Sequence, residues 1–200
     1  MPSVPRWIFL LALLTIAPRI IHAQAPAPAP PSVAEMAFRQ KQYADAMTAV
    51  RSATGEKDRF YVLGNAAKLS LEQGNAAEAK AFAEELELLT PKFKGNWNYG
   101  NAIQDANIVL GRLALKAGDP ATACQRLLAA GQSPGSPQMN SFGPNMTLAQ
   151  ELLAAGEKAT FLAYLELCRK FWTMEGGRLN QWKKAAEENR PPNFGANLVY

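Results

Sequence analysis

The sequence predicts an all-α protein, an α-α solenoid of about four helix hairpins followed by a C-terminal capping helix. Three observations predict this class. Apolar residues recur at the three- and four-residue spacing of a helix face through most of the chain. Tight turns at Gly74-Asn75, Gly118-Asp119 and Gly156-Glu157 divide the periodic stretches into pairs. One spacing of small and apolar residues then occurs in each pair, which is typical of proteins that stack repeated helix pairs.

The first 31 residues lie outside this pattern. Residues 7–17 are apolar except for Thr15, follow Arg6 and precede a small residue at Ala23. This pattern is typical of a cleaved export signal, and the stretch is too short to span a bilayer; an uncleaved anchor is the alternative. Residues 24–31 are Ala and Pro after the first position and predict a stiff, extended linker. We therefore predict a signal peptide at 1–23, a linker at 24–31, a helical repeat domain at 32–200, and a secreted or periplasmic location.

Composition and charge argue against several classes of function. The chain has 21 Lys and Arg against 17 Asp and Glu, a net charge of +4. Cleavage of the predicted signal removes Arg6 and Arg19 and lowers the net charge to +2. Because these charges are interleaved, no basic groove for nucleic acid is predicted. The only histidine is His22, inside the signal, so the mature chain lacks the commonest general base and metal ligand. We predict a non-enzymatic protein with no catalytic residues, no metal and no cofactor.

Periodicity and end signals locate the helices. A capping box at Ser32 and Glu35 opens the domain, Asn101 is placed to cap the first helix of the third pair, and Asp119 the second. The tail at 191–200 is too rich in Pro and Gly for a helix. The helices are predicted at about 32–40, 43–53, 58–73, 76–89, 103–116, 120–130, 145–155, 157–174 and 178–189. The last but one is apolar on most of its circumference, and the last is expected to cover it.

The repeated spacing begins at a small residue and continues 12, 16 and 19 residues later. Small residues on facing positions let two antiparallel helices approach closely, and the apolar residues bury against the next pair. The four sets are Ala34, Ala46, Val50 and Ala53; Ala67, Ala79, Ala83 and Leu86; Gly111, Ala123, Leu127 and Ala130; and Ala149, Phe161, Leu165 and Cys168.

Over about residues 32–174 the chain resembles the tetratricopeptide repeat, at Leu110-Gly111, Gly118-Asp119, Ala123 and Pro91. Phe161 departs from that pattern, which has a small residue at its position. The resemblance implies a concave groove, lined by the first helix of each pair, that binds a peptide. The polar residues it places there are Gln104, Asn107 and Arg112. The stretch 95–172 is also similar to part of a group of secreted bacterial repeat proteins, which implies export and the same fold.

Two loops rich in Asn, Gly, Pro and aromatic residues join the helix pairs, at 91–100 and 131–144. In a stack of antiparallel pairs such connections emerge at one edge, together with the turn at Gly176. Uncharged amides and aromatic rings suit a peptide backbone or a sugar. The alternative is that these side chains only pack the loops onto the helices. The candidate binding residues are Asn96, Trp97, Asn98, Tyr99, Asn140, Ser141 and Phe142, with Asn193 and Phe194 beside them.

Cys124 and Cys168 are the only cysteines, and each lies on the apolar side of a predicted helix. An exported protein can oxidise its thiols, so a disulfide between neighbouring helices and two buried free thiols are both open. The spacing of these cysteines fits no metal motif.

Together these features predict an exported, non-enzymatic interaction module, a scaffold of tetratricopeptide-like repeats that binds a protein or peptide partner in the cell envelope. The alternative is a carbohydrate- or peptidoglycan-associated protein that binds its ligand through the aromatic and amide edge. We expect neither a nucleic-acid partner nor a transmembrane segment after signal cleavage.

Overall fold

Helices account for the regular structure of residues 32–199, the part of the chain that the structure, a computed structural model, describes. This confirms the predicted all-α class, and no strand occurs in this range. The signal peptide and linker predicted for 1–31 lie outside the described residues, as does Tyr200. The α-helices are α1 (Val33–Ser52), α2 (Glu56–Glu72), α3 (Ala76–Leu89), α4 (Tyr99–Lys116), α5 (Pro120–Gly131), α6 (Pro137–Phe142), α7 (Thr147–Ala154), α8 (Lys158–Cys168) and α9 (Arg178–Glu187), with 3-10 helices at Thr90–Phe93 and Gly195–Leu198.

Antiparallel hairpins form the body of the fold, pairing α2 with α3, α4 with α5, and α7 with α8. Each hairpin turns at a glycine with positive φ, at Gly74, Gly118 and Gly156, a conformation that only glycine adopts without strain. Helix α4 is central because it packs against α2, α3, α5 and α7. Helix α9 packs on α8, as predicted for the capping helix.

The repeated spacing coincides with the buried face of each of these hairpins. Gly111 shows why a small residue is needed there: a Cβ on it would lie 2.3 Å from Leu148 Cδ2 and 3.0 Å from Arg126 Cβ. Helix α4 therefore approaches α5 and α7 more closely than a side chain would allow. The buried members of the three sets are Ala67, Ala79, Ala83 and Leu86; Gly111, Ala123, Leu127 and Ala130; and Ala149, Phe161, Leu165 and Cys168.

The prediction of two separate helices at 32–40 and 43–53 is wrong. Helix α1 runs without a break from Val33 to Ser52, because residues 40–43 contain neither glycine nor proline to end it. Its first ten residues are exposed, and only its second half reaches α2 and α3, through Tyr43, Met47 and Val50. In the described range a single helix therefore precedes the hairpins.

Other differences lie near the loops. Helix α4 begins at Tyr99, so Asn101 lies inside its first turn and does not cap it. Helix α6 was not predicted; its N-cap is Ser136, whose Oγ accepts a hydrogen bond from the Met139 amide (3.0 Å). Helix α8 ends at Cys168 instead of continuing to 174, and the tail that was expected to be irregular contains the 3-10 helix Gly195–Leu198.

The predicted N-cap at Asp119 is confirmed, since its carboxylate accepts from the Thr122 amide at 2.9 Å. Among residues 32–199, no helix combines the length and the apolar character needed to cross a bilayer.

Candidate functional site

The two loops predicted to share an edge lie against each other. Gly100 and Gly135 meet so closely that a Cβ on Gly100 would lie 1.9 Å from the Gly135 carbonyl oxygen. Ser133 Oγ donates a hydrogen bond to the Gly100 carbonyl (2.9 Å), and Ser136 Oγ donates one to Asn101 Oδ1 (2.7 Å). These contacts fix the second loop over the start of α4.

Two asparagines bring later segments to the same edge. Asn140 Oδ1 accepts hydrogen bonds from the backbone amide and the hydroxyl of Thr173, at 2.9 and 2.8 Å. Asn197 Nδ2 donates to the carbonyls of Phe142 (3.0 Å) and Pro144 (2.9 Å). The segment after α8 and the C-terminal tail therefore join the two loops, and Asn140 links segments of the fold.

A cleft of about 280 Å³ lies between α2 and α4, and α6 and the segment after it complete its wall. We call it the amide cleft, because side-chain amides make up most of its polar lining. These amides belong to Asn65, Asn98, Asn101, Gln104, Gln138 and Asn145. Asn101 Nδ2 donates to both Asn98 Oδ1 (2.8 Å) and Gln138 Oε1 (3.1 Å), so three of the amides hold one another in place.

The charged groups in the lining of the cleft, Lys68 and Asp105, face each other. Lys68 Nζ donates to Asp105 Oδ1 at 2.9 Å, with the side chains 22% and 17% exposed. Gly64 makes room for the carboxylate, since a Cβ there would lie 2.5 Å from Asp105 Oδ2. Because the two charges compensate each other, the cleft offers hydrogen bonds without a net charge.

Gln104 fixes the inner wall of the amide cleft and is almost fully buried, at 4% exposed. Its Nε2 donates to the Tyr164 hydroxyl (3.2 Å), and its Oε1 accepts from the Asn145 amide (3.1 Å). The Tyr164 hydroxyl in turn donates to the Asn145 carbonyl (3.4 Å). Gln104 therefore lines the cleft, but its hydrogen bonds go to other residues of the protein.

An exposed aromatic pair stands at the rim of the cleft. Tyr61, which lines the cleft, stacks on Trp97 with ring centroids 5.9 Å apart and planes 28° apart. Asn96 Nδ2 donates to the Tyr61 hydroxyl (2.5 Å), and Asn96 Oδ1 accepts from the Asn98 amide (2.8 Å). Trp97 remains 58% exposed, so the loop holds its ring beside the cleft without burying it.

The remaining edge residues lie elsewhere. Tyr99 is half-buried at the first position of α4 and does not line the amide cleft. Ser141 and Phe142 line a second cavity, formed with α9 and the tail, together with Asn193 and Phe194. The predicted edge is therefore one continuous set of loops that serves two separate cavities.

Two residues assigned to the groove are not available to a ligand there. Arg112 forms a two-pronged ion pair with Glu151, with its Nε and Nη2 2.9 and 2.7 Å from Oε1. Asn107 donates to the Ile103 carbonyl (2.9 Å) and accepts from Arg126 (3.2 Å). Neither lines the amide cleft, because both lie farther along α4 than its opening.

The contribution of α2 to this site was not predicted from the sequence. Tyr61, Asn65 and Lys68 follow one another at helical spacing and face Asn101 and Asp105 on α4. A polar stripe at three- and four-residue spacing was the available signal, but such a stripe is also typical of a solvated face.

Cys124 and Cys168 are both free thiols, so the disulfide considered above is not formed. Cys124 lies beside Thr160 and Glu157, at the start of α8, whereas Cys168 ends that helix. Burial raises the pKa of both thiols above the ordinary value, and Cys168 is completely enclosed.

Within the described range, no group of three or more His, Cys, Asp or Glu side chains could hold a metal ion. Comparison of the chain with protein-family models, curated proteins and solved structures found no match.

Proposed function

We propose that this chain is a non-enzymatic interaction module outside the cytoplasm, built on tetratricopeptide-like hairpins, which binds an extended segment of a protein or peptide in the amide cleft. The observation that carries the proposal is the lining of the cleft. It combines several uncharged amides with an exposed aromatic pair at the rim. Amides pair with the donors and acceptors of a peptide backbone, and a flat ring covers a side chain.

The position of the cleft supports the repeat-like interpretation. It lies between α2 and α4, the first helices of two successive hairpins. Its wall is preorganised, because Gln104 and Asn101 are held by hydrogen bonds to neighbouring residues. A prearranged wall reduces the entropy that is lost when a ligand binds.

Asn65 is the residue best placed to contact a ligand directly. It lines the cleft from an exposed position on α2, and its side-chain amide has no hydrogen-bond partner among residues 32–199. Replacing Asn65 by alanine removes that amide from a helix that tolerates alanine well. The variant therefore tests binding without disturbing the fold.

The experiment is an array of peptides of varied sequence probed with the purified protein. We expect Asn65→Ala and Trp97→Ala each to weaken binding of the selected peptides about tenfold or more, as substitutions of central interface residues do. Gln125→Ala is the matched control, since Gln125 is an exposed amide on α5 that does not line the amide cleft. Equal binding by all three variants, with unchanged circular dichroism, would remove the amide cleft from the proposal.

A carbohydrate is the second candidate ligand, and the Tyr61–Trp97 stack favours it. An exposed flat pair beside amides also suits the apolar face and the hydroxyls of a sugar ring. A glycan array with soluble peptidoglycan fragments, probed with the same variants, separates the two candidates. Retention on glycans that is lost with Trp97→Ala, combined with no peptide selection, would replace the first candidate by the second.

A further inference from the structure

The second cavity has a chemistry different from that of the amide cleft. It has a volume of about 390 Å³ and lies between the end of α6, the first half of α9 and the tail. Among residues 32–199, no aspartate or glutamate lines it, and none of its lining residues also lines the amide cleft. We call this cavity the Arg178 pocket. Its lining includes Phe142, Arg178, Gln181, Trp182, Asn193 and Phe194.

The inner wall of the Arg178 pocket is held firmly. Trp182 Nε1 donates to the Asn193 carbonyl at 2.8 Å, which ties the tail to α9. The Trp182 and Phe194 rings meet edge to face, with centroids 5.0 Å apart. Asn197, which also lines the pocket, ties the tail to the end of α6 by donating to the carbonyls of Phe142 and Pro144. The wall therefore needs no rearrangement to receive a ligand.

Arg178 is the positive charge of this pocket and has no carboxylate partner among residues 32–199. Its guanidinium lies over the Trp172 ring, 5.7 Å from the centroid. Four nearby basic residues are paired instead: Arg169 and Lys183 with Glu166, and Lys184 and Arg190 with Glu188. An unpaired guanidinium in a pocket without acids attracts a carboxylate, which it can bind through two parallel hydrogen bonds.

Two further side chains indicate what kind of ligand the carboxylate belongs to. The Phe142 ring is 63% exposed at the mouth of the pocket, where it can cover an apolar side chain. The Gln181 side-chain amide has no hydrogen-bond partner in the described residues and can pair with a peptide group. The pocket volume of about 390 Å³ falls within the range of about 300 to 1,000 Å³ that is typical of small-ligand sites.

We propose that the Arg178 pocket binds the free C-terminus of a peptide whose last residue is apolar, with Arg178 on the terminal carboxylate and Phe142 against the last side chain. This site is separate from the amide cleft. It gives the protein a second means of recognition, directed at the end of a chain.

The test measures binding of N-acetyl-Ala-Phe with a free carboxylate and of the same dipeptide as its C-terminal amide, by calorimetry on the purified protein. We expect the amide to bind about tenfold more weakly or worse, since a charged hydrogen-bond pair is lost. Arg178→Gln should abolish the difference in affinity between the acid and the amide, and Arg178→Lys should restore part of it. Phe142→Ala should weaken binding of both ligands. Lys184→Gln is the matched control on α9, because Lys184 does not line the pocket and should bind like the wild type.

Equal affinity for acid and amide, absence of binding, or an unaffected Arg178→Gln variant would each overturn the proposal. Benzoate binding as tightly as the dipeptide would overturn the peptide part of it. Amide chemical shifts locate the ligand. Shifts in residues 141–142 and 178–197 support the pocket, whereas shifts confined to residues 61–105 would place the dipeptide in the amide cleft and overturn the assignment. Asn65→Ala should leave dipeptide binding unchanged, so the two proposals can fail independently.

Discussion

Gly100 and Gly135 are in direct backbone contact: a methyl group on Gly100 would lie 1.9 Å from the Gly135 carbonyl oxygen and 2.9 Å from its Cα. This contact joins the first turn of α4 to the loop before α6 and so places one wall of the amide cleft. Backbone cannot move aside as the end of a side chain can. The two loops can meet in this way only when the residue at position 100 lacks a Cβ.

Gly100→Ala is therefore expected to lower the free energy of unfolding by about 3 kcal/mol, the upper part of the usual range for overpacking a filled site. Urea unfolding followed by circular dichroism measures this. Gly95→Ala in the same loop is the matched control, since a Cβ at Gly95 meets no atom within 4 Å. We expect its free energy of unfolding to stay within about 0.5 kcal/mol of the wild type. A Gly100→Ala variant as stable as the Gly95→Ala variant would contradict the loop packing described here.

Local signals explain what the sequence predicts correctly. The turn between α4 and α5 needs only a glycine with positive φ, an N-cap and a proline at the first helical position, and all three are adjacent in the chain. The helical spacing of small residues likewise depends on pairs that are close in sequence. Such features can be deduced without knowing which helices become neighbours.

The amide cleft depends on contacts that local patterns do not reveal. Asn65 and Lys68 on α2 belong to a site only because α4 packs beside them, more than thirty residues along the chain. Gln104 looks like a surface residue within an apolar pattern, yet Tyr164 and Asn145 enclose it from other helices and loops. The sequence does not show whether polar residues of this kind are buried or exposed, because they recur at the same helical spacing in both cases.

The Asp119 cap links stability to pH. Hydrogen bonds from Thr122, first from its side chain and then from its backbone amide, hold the pKa of this carboxyl below its ordinary value. Folding therefore favours the ionised form, so the stabilisation is fully present above the unfolded pKa and is lost as the pH falls through the folded pKa. Asp119→Asn keeps an oxygen that can accept at the cap but removes the titration.

We expect Asp119→Ala to unfold at a lower temperature than the wild type at pH 7, with Asp119→Asn between the two. The difference between the wild type and Asp119→Asn should shrink as the pH falls below about 4, where even the unfolded carboxyl becomes protonated. Thermal unfolding at pH 7, 5 and 3 tests this. A difference between the two proteins that is the same at all three pH values would show that the charge of Asp119 does not contribute.

The two cysteines provide a test of the packing of α8. Cys168 is fully enclosed and burial raises its pKa, so little thiolate forms and no reagent reaches it in the folded state. Cys124 is half-buried, its pKa is also raised by burial, and it lies next to Thr160. We expect at most one thiol to react with a disulfide reagent in the native protein and two after unfolding.

The variant Cys124→Ser separates the two thiols. If Cys168 is enclosed as described, this variant should show no native reactivity and one thiol in denaturant, at a rate that follows global unfolding. Its stability should change little, because Cys124 is only half-buried against α8. Rapid native labelling of Cys168 in this variant would mean that α8 is less tightly covered by α9 than the structure shows. A wild-type protein with no free thiol even in denaturant would mean that the two cysteines are oxidised to a disulfide, which requires α5 and α8 to pack in a different register.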